Sequence, residues 1–566
     1  MKHRYTIYQQ GHSIVSPLAH GSLSNYEAIA SGKSCLQSHQ GKWDIPEPFF
    51  ASLFPDGIGF DELVIAAAKE AIDEACIDAS NDRVLFVLST TKGNVDLLEH
   101  PETCDSEQTY LWHSAQAMAR HFGNRNTALV ASNACISGCA AQLTAYNMLQ
   151  YSEQYDHVVV VGAEVLSKFI IAGFQSFKAL SPERCRPFDQ NRCGLNLGEA
   201  AAAIVYGRTT SPESLPPQTI IMEAGAINND ANHISGPSRT GEGLLRSIIK
   251  VTHHFDLGRI AFINAHGTAT LYNDDMESVA INRAGLQDTP VNSLKGYYGH
   301  TLGAAGIMEV ILSSIALQRH TIIKSLGTEQ PGTAQPINVC TSQHTTNGDA
   351  FLKLISGFGG SNAALLFSMK QDGISRNDSL IEPRKSEYSE IKSIELPLKG
   401  LLSVNEIDEK LSQFYHDSGM QYPKFFKMDR LCKAGILGAE LLLKGYDYDQ
   451  ENVKADWGII LMNSASSLDN DRRFQETIAT DNYYPSPSVF VYTLANIVTG
   501  EIAIRHKIGG ESSFYVIPAF DKAIMDEMLQ LTYTANPELN HIICGWVNID
   551  CQNCEVKMLL TQKRKL

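Results

Sequence analysis

Between Asp82 and Gly207, short unbroken apolar runs take turns with stretches of helical spacing. RVLFVLST (83–90) and HVVVVGAEV (157–165) show no polar alternation, as in strands buried on both faces. ELVIAAAKEAIDEA (62–75) and CAAQLTAYNMLQ (139–150) carry apolar residues at helical intervals. A second block repeats the order: IIMEAGAI (220–227), a helix near 241–252, IAFINAH (260–266), GIMEVILSSIALQ (306–318) and FLKLISGFGG (351–360). Strands of this kind alternating with helices imply an α/β domain with mostly parallel strands.

After Met369 the pattern stops. KQDGISRNDSLIEPRKSEYSE (370–390) is polar and aperiodic and reads as a linker. Structure is expected to resume near Ile394. The remainder looks like a divergent repeat of the opening block. Residues 428–445 match the helix at 61–75, 455–474 match the strand and turn at 82–98, 495–508 match 113–122, and 541–549 match 157–165.

Composition excludes several classes of function. The balance is 46 basic against 62 acidic residues, a formal charge of −16, so the overall field does not hold nucleic acid. The basic trio Lys563, Arg564 and Lys565 reads as a solvated tail. The N-terminus MKHRYTIYQQGHS has no apolar segment of a secretory signal, and no apolar run approaches the ~18 residues of a membrane span. The expectation is a cytoplasmic protein. Twelve scattered cysteines do not form a disulfide framework. Cys551 and Cys554, with Cys544 and His541 upstream, have some zinc spacing. His541 and Cys544 fall inside an apolar strand-like run, so all four cannot face one metal, and they read as core residues.

NACISG (133–138) sets Cys135 between an apolar run and a helix. A helix N-terminus there favours a thiolate, and the Cys135 amide can face an oxyanion. By itself this pattern is more often a buried structural cysteine. Two histidines shift the balance. NAHGTAT puts His266 at the C-terminal end of a strand, the ligand side of an open parallel sheet. KGYYGHT puts His300 before the small-residue helix start LGAAG. The loop SGFGGSN (356–362) offers backbone N–H groups but lacks the lysine of a phosphate loop.

The segments NACISG, RPFDQNRCGLNLGEAAAAIVYG, NAHGTATLYNDDMES, LKGYYGHTLGAAGIME and GFGGSNAALLF together resemble the β-ketoacyl-acyl carrier protein synthase family, in family order, over residues 1 to about 369. The resemblance implies a thiolase-like fold of two βαβαβ-type halves, about 1–215 and 216–369, with sheets sandwiched by helices. It implies that Cys135 accepts the acyl group and that His266 and His300 bind the malonyl thioester carbonyl and assist decarboxylation. Lys295 and Glu309 fall at the polar pair supporting that site, and Asp274 and Glu277 at the acidic positions after the first histidine. Thr268 and Thr270 fall where phosphopantetheine is contacted, and Phe358 at the gate whose amide completes the oxyanion hole. No metal or organic cofactor is implied, because substrates ride on the phosphopantetheine of an acyl carrier protein.

Single residues separate near relatives. Phe358 stands where a degradative thiolase has a second cysteine, His300 stands where an initiating synthase has asparagine, and a chain-length factor lacks the nucleophile. The implied reaction is decarboxylative condensation, in aryl-polyene, pigment or polyketide synthesis or in ordinary fatty-acid elongation. A non-catalytic carrier-binding or chain-length-setting partner is the rival. The loop HISGP (233–237) and the pair Tyr297-Tyr298 depart from the family where acyl chain or pantetheine would pass. Cys139, one turn after Cys135, reads as a packing residue. Arg186, with Lys178 and Arg184, is expected to form a local basic patch for an acidic carrier protein, since local fields dominate within roughly 8–10 Å.

The linker is drawn at 370–395 and the last domain at 396–566. Aligned on GGESSFYVIPA (509–519), that domain carries Ala519 where cysteine belongs and has no second histidine block. It resembles a truncated, chain-length-factor-like synthase half. The expectation is that it pairs with the core in cis as a one-chain pseudodimer; the alternative is a homodimer through the cores.

Overall fold

The computed structural model describes residues 5–371, 386–398, 400, 403–479, 482–550 and 554–564. Its main sheet has fifteen strands. The first five are β1 (Thr6–Val15), β2 (Val84–Ser89), β3 (Leu129–Ala131), β4 (His157–Glu164) and β5 (Ala200–Thr209). The next are β6 (Ile220–Asn229), β7 (Ile260–Asn264), β8 (Val291–Asn292), β9 (Ala350–Gly357) and β10 (Ser361–Met369). The last are β11 (Tyr388–Leu396), β12 (Trp457–Asn463), β13 (Ser512–Val516), β14 (His541–Asn548) and β15 (Glu555–Lys563).

Each set of five follows one plan. In the first, β2 runs parallel to β3 and β4, while β5 pairs antiparallel with β4 and β1. In the second, β7 is parallel to β8 and β9, and β10 is antiparallel to β9 and β6. In the third, β12 is parallel to β13 and β14, and β15 is antiparallel to β14 and β11. The two apolar runs read from the sequence, β2 and β4, lie side by side in the middle of the first set.

Two antiparallel joints merge the sets. β1 meets β6 at Ile7↔Met222 and Tyr8↔Ile221. β3 meets β13 at Val130↔Val516 and Ala131↔Tyr515.

One expectation is corrected. Strand β11 begins at Tyr388 and pairs with β15 from Tyr388↔Lys563 to Leu396↔Val556, so ordered structure starts inside the segment read as a linker up to 395. As the outer strand of the sheet, β11 is half exposed and carries no unbroken apolar run, which hid it. Residues 372–385 of that segment lie outside the described residues.

Two helices at the centre, α1 (Ser137–Tyr151) and α2 (Ala305–Gln318), are buried almost all round. Small residues let their starts touch: a Cβ on Gly138 would lie 2.9 Å from the Gly303 carbonyl oxygen, and one on Gly306 would lie 2.7 Å from the Cys139 amide. Substituents there would push the backbones apart. This crossing brings together the turns that precede each helix, which hold Cys135 and His300. Cys139 itself is fully buried in the core.

Cys544 and Cys554 are buried, and His541 shares a 2.8 Å hydrogen bond with the Tyr446 hydroxyl. Cys551 and Lys565 lie outside the described residues. Among the described residues no helix is long and apolar enough to cross a membrane.

Candidate active site

Cys135 occupies a one-turn 3-10 segment between β3 and α1. Ala134 before it is held at φ 49°, a left-handed conformation that a non-glycine residue adopts under constraint. The constraint is visible: the Asn133 amide donates to Ser137 Oγ at 2.8 Å, and that hydroxyl donates to the Ala134 carbonyl at 2.6 Å.

His266 follows β7 in a loop pinned by a carboxylate. Glu277 accepts the amides of His266 and Gly267, each at 2.7 Å. Gly267, at φ 49°, packs so closely that a Cβ would lie 2.4 Å from Ser293 Cβ. His300 is fixed from both sides: its amide donates to the Asn196 carbonyl at 2.7 Å, and its Nδ1 accepts the Leu302 amide at 3.2 Å. That acceptance leaves the ring proton of neutral His300 on Nε2, which is buried without a partner among the described residues. The two imidazoles stand 4.9 Å apart at 80°, and Cys135 Sγ and a nitrogen from each ring lie within 4.8 Å of one another.

Behind the histidines lies a buried charge cluster. Glu309 is paired with both Lys295 and Lys353, and Lys353 also donates to Asn264 Oδ1 at 2.8 Å. Two cations around one carboxylate leave the cluster net positive. Burial, then the Lys295 charge, pushes both histidines well below their ordinary range, so both are neutral. The two lysines outweigh burial at Glu309 and hold its carboxyl below the usual range. Burial drives the Cys135 thiol up to about 12, opposed by Lys295 and by hydrogen bonds from the amides of Cys135 and Phe358. A Cβ on Gly357 would lie 3.1 Å from the Cys135 amide nitrogen, so the strand end that leads into Phe358 packs directly against the nucleophile turn.

Cys135, His266, His300, Thr268 and Phe358 line a cavity of about 430 Å³. The Thr268 and Thr270 hydroxyls are 2.9 Å apart at its wall. Phe358 lies edge-on to Phe177 at 5.8 Å. The far wall comes from beyond the core: Phe490, Thr493 and Leu494 belong to the C-terminal unit. Beside them, Lys92 donates to Asp471 at 2.7 Å and to Ser467 at 3.1 Å, a buried ion pair between the two units.

Lys295, Glu309, Asp274 and Glu277 do not line the cavity; they support its loops. Asp274 accepts the Phe188 amide at 2.7 Å, and burial raises its carboxyl to about 6. Arg186 is also outside the lining and sits 3.2 Å from Glu183, which offsets its charge. Lys178 does reach the cavity mouth, and Arg184 is exposed. Residues 234–237 of the HISGP loop line the cavity, whereas His233 is exposed and accepts the amides of Ser235 and Gly236. Tyr297 and Tyr298 are corrected: neither lines the cavity, and their hydroxyls donate to the Lys324 carbonyl and to Asn25 in the core.

Sequence reasoning passed over Lys353, Glu164 and the C-terminal wall. A lysine inside the apolar run FLKLISG and a glutamate ending HVVVVGAE were the available signals. In the C-terminal unit, Ala519 lies exposed in the turn after β13, and residues 517–521 (Ile, Pro, Ala, Phe, Asp) offer no thiol or hydroxyl.

Residues 60–210 match the family description "Beta-ketoacyl synthase, N-terminal domain" and residues 219–329 its C-terminal domain. A "Putative polyketide beta-ketoacyl synthase 1" from Streptomyces cyaneus is 29% identical over 343 residues, covering 54% of this chain and 81% of that protein. Among solved structures, the ishigamide ketosynthase/chain length factor superposes with TM-score 0.60 at 23% identity, covering 65% of this chain and 100% of the other. The PfaC keto synthase–chain length factor superposes with TM-score 0.78 at 13% identity, covering 100% of this chain and 78% of the other, a likeness of fold. Cys135 thus lies in the stretch that matches the beta-ketoacyl synthase N-terminal domain, and His266 and His300 in the stretch that matches its C-terminal domain.

Proposed function

We propose that the protein condenses an acyl group held on Cys135 with a malonyl thioester, both delivered on the phosphopantetheine of an acyl carrier protein. The observation that carries this reading is the convergence of Cys135 Sγ with His266 and His300 nitrogens within 4.8 Å at one cavity wall. In the first step the sulfur attacks the acyl thioester, the oxyanion sits between the amides of Cys135 and Phe358, and the thiol proton leaves with the departing pantetheine sulfur. In the second step the malonyl C–C bond to carboxylate breaks and releases CO₂. The electron pair becomes an enolate whose oxygen takes the His300 Nε2–H, with His266 beside it. The enolate carbon then attacks the acyl-Cys135 carbonyl, and collapse of that intermediate returns the sulfur. Neutral imidazoles suit this role, since they donate without needing to ionise beside two lysines.

The C-terminal unit is read as a non-catalytic partner that joins the core in cis, in the place a second core would take, and closes the far end of the acyl cavity. The β3–β13 joint and the cavity residues Phe490, Thr493 and Leu494 support this. Chain length is then set across the joint. Lys178, Arg184 and Arg186 remain the docking patch for the carrier protein, and polyketide or polyene synthesis is favoured over ordinary fatty-acid elongation by the fused unit.

Intact-mass measurement after exposure to an acyl-carrier protein tests the reading. Wild type is expected to gain one acyl group on Cys135 and to release CO₂ from malonyl-carrier protein. A Cys135→Ala variant that elongates as well as wild type overturns it.

A further inference from the structure

The gate residue Phe358 is held from the other unit. Asn496 Nδ2 donates to the Phe358 carbonyl at 2.8 Å, across 138 residues of sequence. Asn496 is fully buried and stands at the N-cap of the helix Ile497–His506. Asparagine at that position ordinarily turns its side-chain oxygen to the free amides of the first turn. Here no side-chain cap is made, and Asn496 Oδ1 has no partner among the described residues. The side chain is turned away from its own helix and toward the gate.

The packing around this bond is close. A Cβ on Gly359 would lie 2.6 Å from Asn496 Nδ2, and one on Gly500 would lie 2.7 Å from the Gly359 carbonyl oxygen. Glycine at both positions lets the helix ride directly on the gate loop. Gly359 and Gly360 follow Phe358 with φ of 87° and 72°, conformations that leave the loop easy to re-aim. The Gly359 amide donates to the Ile234 carbonyl, so the gate also touches the 234–237 wall of the cavity. The Phe358 amide lies one peptide plane before the carbonyl that Asn496 holds, and Phe358 shares the cavity wall with Cys135.

We infer that Asn496 is a positioning residue for the condensation: it latches Phe358 in the orientation that completes the oxyanion hole, so the C-terminal unit tunes chemistry as well as closing the cavity. This rests on the acyl-Cys135 reading above.

Two rates on Cys135 separate this role from simple packing. Acylation by an acyl thioester passes through an oxyanion; alkylation by iodoacetamide does not. Asn496→Asp keeps the volume and removes the donor, and Asn496→Ala removes it without adding charge. Each is expected to slow acylation about tenfold or more, given that losing an oxyanion donor outright costs 10²–10³. Alkylation should stay within about twofold, and the loss should appear in kcat rather than in KM for malonyl-carrier protein. The alanine variant carries the test if the aspartate variant fails to fold, as judged by circular dichroism. Acylation at the wild-type rate, or equal loss of acylation and alkylation, overturns the inference. If wild type itself takes no acyl group, the function proposed above falls instead.

Discussion

Asn133 and Phe514 form a two-way clamp: Asn133 Nδ2 donates to the Phe514 carbonyl at 3.0 Å, and the Phe514 amide donates to Asn133 Oδ1 at 2.9 Å. One side chain thereby fills both backbone valences of a residue on β13, two positions before the nucleophile. The clamp extends the β3–β13 joint past its last ladder pair and into the catalytic turn. Asn133→Ala leaves the buried Phe514 amide unmet, at about 1–3 kcal/mol, while the Phe514 carbonyl keeps the Ser132 amide at 3.2 Å. Urea unfolding should show a loss in that range, with slower acylation of Cys135. Unchanged midpoint and rate would mean that the turn holds itself.

The Lys92–Asp471 pair gives a second measurement of the joint. Burial pushes the lysine down and the aspartate up to about 6, with each opposed by its partner. Removing either partner strands the other, at about 3–5 kcal/mol. Replacing both, as Lys92→Met with Asp471→Leu, should recover most of that loss in a double-mutant cycle. Additive losses would show that the two charges are not coupled.

Glu164 predicts a pH dependence. Its Oε1 accepts the amides of Thr91 and Gly303, Oε2 has no partner among the described residues, and burial raises the carboxyl from 4.5 to about 7. The folded state then binds the proton more tightly than the unfolded state. The resulting stability is fully present below pH 4.5 and is lost as pH climbs to about 7, at ~1.36 kcal/mol per unit. Glutamine keeps the accepting oxygen and cannot ionise. The stability advantage of Glu164→Gln should therefore grow between pH 5 and 7.5, by up to about 3 kcal/mol. Parallel curves for the two proteins would remove Glu164 from the account.

Phe490 lines the cavity with its ring 5.6 Å from Phe174 and 5.7 Å from Phe177, pressed against Gly173. Phe490→Leu should shift the products toward longer chains by one or more two-carbon units, read by mass spectrometry of the released acids. An unchanged distribution would place the chain-length limit elsewhere.

The sequence displays what is local and hides what is assembled. Cys135 and His266 sit in short runs of small residues at strand ends, and His300 stands just before a small-residue helix start, so their turns announce themselves. Lys353 acquires meaning only once β9 carries it under Glu309, 44 residues away. Asn496 precedes the helix Ile497–His506, and nothing near it in sequence indicates that its side chain faces a glycine loop 138 residues upstream. Strand β11 was missed for a physical reason too: an outer strand with a wet face needs no apolar run. The tyrosines at 297 and 298 misled because adjacency to His300 in sequence is not adjacency to the cavity.

The joint at Ala131↔Tyr515 has a consequence for how this enzyme can vary. Two identical subunits meeting strand to strand must answer both sides of the contact with the same residue. Here, two places beyond Ala131 stands the clamp Asn133; two places beyond Tyr515 stands Ile517, whose amide instead binds the Asn463 carbonyl within its own unit. A change at 517 leaves residue 133 as it was. The two faces of this joint therefore differ, one holding the catalytic turn and the other packing within its own unit, and each can change without the other.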